Sequence, residues 1–164
     1  MNKSLRLKSN KIKVVLTDVD GVLTDGGMYY SDRGDIMKRF HARDGMGVTL
    51  LRKKNIPTII VTKEKTEIVR EWSAKMKIKK LCDGILDKES VIEKICKKFD
   101  VAPNELAYIG DDVNDLGLLK KVGFSAAPND AILEVKKIVD YVCKTNGGRG
   151  AFREFADLFL ISKN

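Results

Sequence analysis

Val14-Val-Leu-Thr-Asp-Val-Asp-Gly21 opens with four β-branched or aliphatic residues and closes on two carboxylates and a glycine. Such a run reads as a strand buried on both faces, as in a parallel sheet. Asp18 and Asp20 then stand at its carboxyl end, the edge where open α/β sheets bind ligands. Two carboxylates one residue apart, beside a glycine where the backbone turns freely, suit a division of labour: one holds a hard cation while the other moves a proton. A lone Asp-x-Asp-Gly is also what an acidic turn looks like. The residues downstream of Gly21 decide between the two.

Three further stretches come in order. Ile59-Ile-Val-Thr62 is a second buried-strand pattern, ending in a hydroxyl that can donate to a phosphoryl oxygen. Lys88 stands just before the helical stripe Val91, Ile92, Ile95, Cys96, Phe99, which puts a cation in a first helical turn, where the macrodipole favours anions. A bound phosphate would give that placement a reason. Ala107-Tyr-Ile-Gly110 is a third strand pattern, followed by Asp111, Asp112 and Asp115. Three carboxylates so close repel one another unless protons or a cation neutralise them, which points to a magnesium site.

Strand patterns at 14–17, 59–62, 80–82, 107–110, 124–126 and 141–143 alternate with helical stretches. A doubly wound, mostly parallel, Rossmann-like α/β sheet is expected. The stretch between Asp18 and Thr62 holds a hairpin pattern (28–30, a turn at 31–34, then 36–40) and a helix over 45–54. One helix and a short strand fill the stretch from Thr62 to Lys88. This leaves a small β-hairpin insertion, no cap domain, and one domain spanning 1–164.

The four stretches, in this order across positions 18 to 115, resemble the signature of the haloacid dehalogenase superfamily of phosphotransferases. The resemblance implies that Asp18 is the nucleophile and Asp20 the general acid and base. Thr62 and Lys88 would hold the phosphoryl oxygens. Magnesium would be bound by the Asp18 carboxylate, the Asp20 main-chain carbonyl and Asp111. Asp112 and Asp115 would be secondary, supporting the ion through water or capping the next helix. From Lys11 to Phe159 the chain also resembles a capless branch of 3-deoxy-octulosonate 8-phosphate and nonulosonate 9-phosphate phosphatases, typically tetramers. Asp18-Val-Asp-Gly-Val-Leu-Thr-Asp-Gly26, Arg43-Asp-Gly45, Gly110-Asp-Asp112 and Gly147-Gly-Arg-Gly-Ala-Phe-Arg-Glu154 carry that likeness. It implies a small sugar acid phosphate as substrate, a homotetramer whose interface includes the hairpin, and a glycine-rich ending able to reach a neighbouring site. The stripe Phe152, Phe155, Ala156, Phe159 reads more simply as a helix packed on its own domain.

Octulosonate phosphatases usually carry Gly-Arg after the Thr or Ser; here the segment is Thr62-Lys-Glu-Lys-Thr66. Glu64 is a pure acceptor where an arginine would offer five donors. This segment more closely resembles the nonulosonate 9-phosphate branch, which implies that Lys63, Glu64 and Lys75 contact the sugar acid. Arg43 and Asp44 are expected near it as well. Trp72, on the stripe Ile68, Trp72, Met76, is expected to pack. His41, the single histidine, is expected to be a local structural residue.

The formal charge of +8 suits anionic metabolites. The lysines lie beside glutamates without aromatic platforms, so they read as solvated faces and no nucleic acid is expected. No apolar run is long enough for a membrane span, and Met1–Lys13 reads as a loose terminus without a signal-peptide core. Three cysteines without metal spacing read as reduced thiols of a cytoplasmic protein. Two rivals stand beside the phosphatase: a receiver domain, whose acceptor Asp would come after the acidic pair, and a non-catalytic oligomerisation domain of sugar-acid biosynthesis, which would not need all four of Asp18, Asp20, Lys88 and Asp111.

Overall fold

The computed structural model describes residues 3–162. Its centre is a six-stranded, all-parallel sheet built from β1 (Val14–Thr17), β4 (Thr58–Val61), β5 (Lys80–Cys82), β6 (Leu106–Ile109), β7 (Phe124–Ala127) and β8 (Tyr141–Val142), in the order β5-β4-β1-β6-β7-β8. Between β1 and β4 the chain makes the expected antiparallel hairpin of β2 (Tyr29–Ser31) and β3 (Gly34–Met37).

β1, β4, β6 and β7 are buried along their whole length, as continuous apolar runs require when helices cover both faces. Alternation then divides the core in two. Val15 joins Ile60, Phe124 and the helical Val48, Leu51, Phe152, Phe155 and Phe159 on one face. Val14 and Leu16 join Ile59, Tyr108, Ile95, Leu118 and Leu119 on the other. The first face is covered by α2 (Ala42–Lys53), α3 (Glu67–Met76) and α7 (Ala151–Ser162), the second by α4 (Ile92–Phe99), α5 (Leu116–Lys121) and α6 (Leu133–Lys136). Phe155 and Phe159 stack edge to face at 4.9 Å, so the stripe of α7 packs on its own sheet as expected.

The six strands of the sheet sit within one residue of the expected bounds, with Thr62, Gly110 and Cys143 just past their strand ends, whereas the second hairpin strand, expected over 36–40, runs Gly34–Met37 because the turn closes earlier. Two further expectations need correcting. The amino-terminal stretch is not loose over 3–11: Lys3–Lys11 forms α1, which buries Ser9, pairs Lys8 with Asp140 and packs against α7. Residues 1 and 2 of that stretch lie outside the described residues. α2 begins at Ala42, three residues ahead of the expected start, because His41 serves as its cap, accepting at Nδ1 from the Arg43 amide (3.2 Å). This is the local structural role expected of His41. Trp72 also packs as expected, stacked on Phe40 with ring centroids 4.6 Å apart. Cys82, Cys96 and Cys143 are free thiols. No helix among the described residues is long and apolar enough to cross a membrane.

Candidate active site

β1 lies between β4 and β6, and the chain reverses its direction of progress across the sheet after β5, so the carboxyl ends of these three strands frame the topological switch point. Asp18 follows β1, Thr62 follows β4 and Asp111 stands two residues beyond β6. The Asp18 amide donates to the Ile109 carbonyl (3.0 Å), prolonging the pairing of β1 and β6 into the site. The loop after β1 then folds tightly, with the Val22, Leu23 and Thr24 amides all donating to the Val19 carbonyl. Gly21 has φ +86°, and a Cβ there would fall 2.0 Å from Asp111 Oδ2. Only glycine lets the two acidic loops approach this closely.

The electrostatic centre is Lys88, in a 3₁₀ turn (Lys88–Val91) ahead of α4. Its ammonium is fully buried and lies 2.7 Å from both Asp18 Oδ2 and Asp115 Oδ1. Burial alone would lower its pKa, but the two carboxylates outweigh burial and raise it, so Lys88 remains charged. Oxygens of Asp18, Asp111 and Asp115 lie within 4.8 Å of one another. Burial first, and then the other carboxylates, push Asp111 up to about 8. Asp18 is pushed up to about 7 by burial, with Lys88 opposing and Asp115 adding to the rise. One ammonium cannot balance three ionised carboxylates, so in the absence of a cation the cluster holds on to protons.

Asp115 does not compete for a cation. Its Oδ1 accepts from Lys88 and from the Tyr108 hydroxyl, and its Oδ2 from the Asp111 and Asp112 amides (2.8 and 3.2 Å). Those four donors occupy its acceptor capacity. It therefore ties Lys88, Tyr108 and the loop after β6 into one unit behind the site. Asp112 is exposed and caps the 3₁₀ turn Val113–Asp115 by accepting from the Val113 amide (2.7 Å), the capping alternative of its expected secondary role. Asp111 differs from both: its Oδ1 is buried and lacks a partner among the described residues. A carboxylate oxygen in that state is suited to a metal.

A cleft of about 210 Å³ opens over this cluster, walled by Asp18, Asp20, Thr62, Asp111 and Asp112 together with Lys63, Glu64 and Asn114. Lys63 and Glu64 thus stand on the same cleft as the acidic pair. Lys75 does not: it borders a separate depression with Phe40, Trp72 and Met76. Arg43 borders another, beside Arg149 and Arg153. Within one chain neither is brought to the acidic cleft. Asp44, expected at the sugar, is instead fully buried, and its Oδ1 accepts from the Arg153 amide (2.8 Å) in the first turn of α7. Burial pushes it up to about 6, with the Arg153 and Gly150 amides opposing. Asp44 holds the glycine-rich segment in place and leaves no face for a ligand. That segment lies on the chain's own catalytic loop: the Gly148 amide donates to the Val22 carbonyl (3.0 Å), and a Cβ on Gly147 would fall 1.9 Å from the Gly21 oxygen.

Two site residues lay outside the expectations. Tyr108 is fully buried in β6, and a buried phenol that must find an acceptor is a readable signal. Lys38, just past β3, is also buried; its ammonium lies 2.8 Å from Asp20 Oδ1 and 3.3 Å from Asp35 Oδ2. Nothing in the local sequence distinguishes it from the solvated lysines.

A family model described as haloacid dehalogenase-like hydrolase matches residues 52–154. The chain is 41% identical over 156 residues to the 3-deoxy-D-manno-octulosonate 8-phosphate phosphatase KdsC of Haemophilus influenzae, covering 95% of this chain and 87% of that protein. It is 36% identical to the enzyme of the same name from Escherichia coli strain K12, with 95% and 83% covered. A cobalt-bound structure of the Haemophilus influenzae phosphatase superposes with a TM-score of 0.93 over 95% of this chain and 91% of that one, at 41% identity. The Moraxella catarrhalis phosphatase, in complex with magnesium, phosphate and KDO, superposes with a TM-score of 0.95 at 30% identity, covering 99% and 93%. These relatives carry the octulosonate name, and none of them supports the closer likeness to nonulosonate 9-phosphate phosphatases expected from Thr62–Thr66.

Proposed function

Given that the chain belongs to the haloacid dehalogenase-like hydrolases, we propose that it is a magnesium-dependent phosphatase that removes the 8-phosphate of a 3-deoxy-octulosonate through an aspartyl-phosphate on Asp18. The observation that carries the reading is the meeting of Asp18 and Asp111, beyond the ends of two adjacent strands, with oxygens within 4.8 Å of one another and of Asp115, which anchors Lys88 behind them. The residues suit a hard divalent ion: all the donors are oxygens, carboxyl groups outnumber the one ammonium three to one, and Asp111 Oδ1 lacks a partner among the described residues. Asp18 and Asp111 would hold it through their carboxylates and Asp20 through its main-chain carbonyl. When bound, the ion neutralises charge and polarises the phosphoryl oxygens.

The chain's own groups do the remainder. Asp18, ionised, attacks phosphorus, while Lys88 and the Thr62 hydroxyl hold the equatorial oxygens whose charge persists through the transfer. Asp20 donates a proton to the departing sugar alkoxide, then accepts one from the water that opens the aspartyl-phosphate. Lys63 and Glu64, on the cleft wall, meet the sugar acid. Residues 1–164 act as one phosphatase domain in the cytoplasm, assembled as a homotetramer.

The test is magnesium-dependent phosphate release from a panel of sugar acid phosphates, with Asp18→Asn measured alongside. Turnover by wild type and a loss of more than about 10³-fold in the variant are expected. Equal turnover in the two proteins would remove the nucleophile, and with it the mechanism. A nine-carbon 9-phosphate is the second reading, favoured by Glu64, an acceptor-only group on the cleft. The ratio of kcat/KM for the two substrates separates them.

A further inference from the structure

Asp20 must present one carboxylate oxygen to a leaving alkoxide and later to a water, so its orientation matters as much as its presence. In the fold it is held on one side only. Oδ1 accepts from the Lys38 ammonium (2.8 Å) and from the Thr24 hydroxyl (3.2 Å). Oδ2 is buried and has no partner among the described residues. The donor that matters most comes from outside the catalytic loop. Lys38 leaves the hairpin just after β3, and its side chain is 1% exposed. Its backbone path is fixed by a bridge pairing Thr24 with Phe40 and by the stack of Phe40 on Trp72.

A buried ammonium is a costly way to fasten a hairpin, since an apolar side chain would pack there without a desolvation penalty. Its two partners at Nζ are Asp20 and, more distantly, Asp35 at 3.3 Å. We propose that Lys38 is a positioning residue for the phosphatase reaction: by holding Asp20 Oδ1 it fixes the carboxyl plane and leaves Oδ2 as the oxygen that carries the proton. In the first half-reaction the bond from Asp18 to phosphorus forms as the ester oxygen leaves with the Oδ2 proton. In the second, water gives a proton to Oδ2, its oxygen bonds to phosphorus, and the bond to Asp18 breaks. Lys38 keeps its own protons throughout.

The inference rests on the phosphatase reading, and leaving-group dependence separates the two. The experiment compares wild type, Lys38→Met and Lys38→Arg on a sugar acid phosphate, whose alkoxide needs a proton, and on p-nitrophenyl phosphate, whose leaving group needs none. For Lys38→Met, kcat on the sugar ester should fall about 10- to 100-fold with KM within about threefold of wild type. The pre-steady-state burst of p-nitrophenolate should keep a rate within about threefold of wild type, because that step bypasses the acid. Lys38→Arg should recover most of the lost kcat. An unchanged kcat on the sugar ester, a rise in KM alone, or equal losses in the burst and on the sugar ester would each overturn the proposal. Should Lys38→Met fail to fold by circular dichroism, Lys38→Gln takes its place with the same readings. Wild type inactive on both esters would sink the phosphatase reading instead.

Discussion

At the residue scale the site is a concentration of like charge that one lysine cannot balance. Asp111 shows the consequence most directly, because its carboxyl, pushed up to about 8, keeps its proton in the folded chain through a range where the unfolded chain has ionised from 3.8 upward. Over that range the folded state binds more protons, so this group's contribution to stability falls as pH rises from about 4 to about 8 and is flat above. Without magnesium, Asp111→Asn should therefore melt close to wild type at pH 5 and several degrees above it at pH 8. With magnesium at pH 8 the order should reverse, since wild type gains a bound ion and the variant has lost the oxygen that lacks a partner. Thermal melts at the two pH values, with EDTA or magnesium, give the answer; a gap independent of pH in EDTA would refute the repulsion. The carboxylates were readable from sequence because they follow apolar runs at fixed places, and Lys88 because it opens a helical stripe. Lys38 and Tyr108 were less so, since their partners Asp20 and Asp115 meet them only through tertiary structure.

At the element scale, the strands were readable because burial on both faces leaves unbroken apolar runs, and α3, α4 and α7 because their apolar residues recur at helical spacing; α5 and α6, of six and four residues, carry no such stripe. α1 was not readable either. Its sequence, Lys3-Ser-Leu-Arg-Leu-Lys-Ser-Asn-Lys11, is mostly polar and too short to hold itself, so packing on α7 and the pair of Lys8 with Asp140 make it a helix. Asp44 misled for a related reason: a carboxylate beside Arg43 and Gly45 looks like a ligand contact until α7 is seen to end on it. Through that contact α2 and α7, which pack along their lengths, set the position of the glycine-rich segment over the catalytic loop. Asp44→Ala should cost about 1–3 kcal/mol, by loss of the cap and by leaving the Arg153 amide without its partner. Gly147→Ala should lower kcat as well as stability, because its methyl group would meet the Gly21 carbonyl. Urea melts and steady-state kinetics on the two variants check this, and wild-type kcat in Gly147→Ala would show that the loops are not coupled.

At the scale of the whole molecule, the hairpin groups several exposed apolar side chains within ten residues of sequence. Met28, Tyr30, Ile36 and Met37 are each more than half exposed. Two short strands alone are marginal in water, and such a surface needs cover. If the homotetramer is right, light scattering should give four times the chain mass of 18.4 kDa, and Tyr30→Asp with Ile36→Asp should dissociate it to smaller species. A wild-type monomer at assay concentration would remove the assembly. The same pair of substitutions should reduce turnover if Lys38, at the base of the hairpin, depends on that cover for its aim at Asp20. The seating of Gly147 and Gly148 on Gly21 and Asp25 has a consequence for biosynthesis. The loop bearing the nucleophile leaves the ribosome more than a hundred residues before the segment that closes on it, so the nascent chain carries its acidic motif without a finished pocket. Catalytic competence should then arrive as a late, single event in translation, and a ribosome stalled before that segment should display an inert chain.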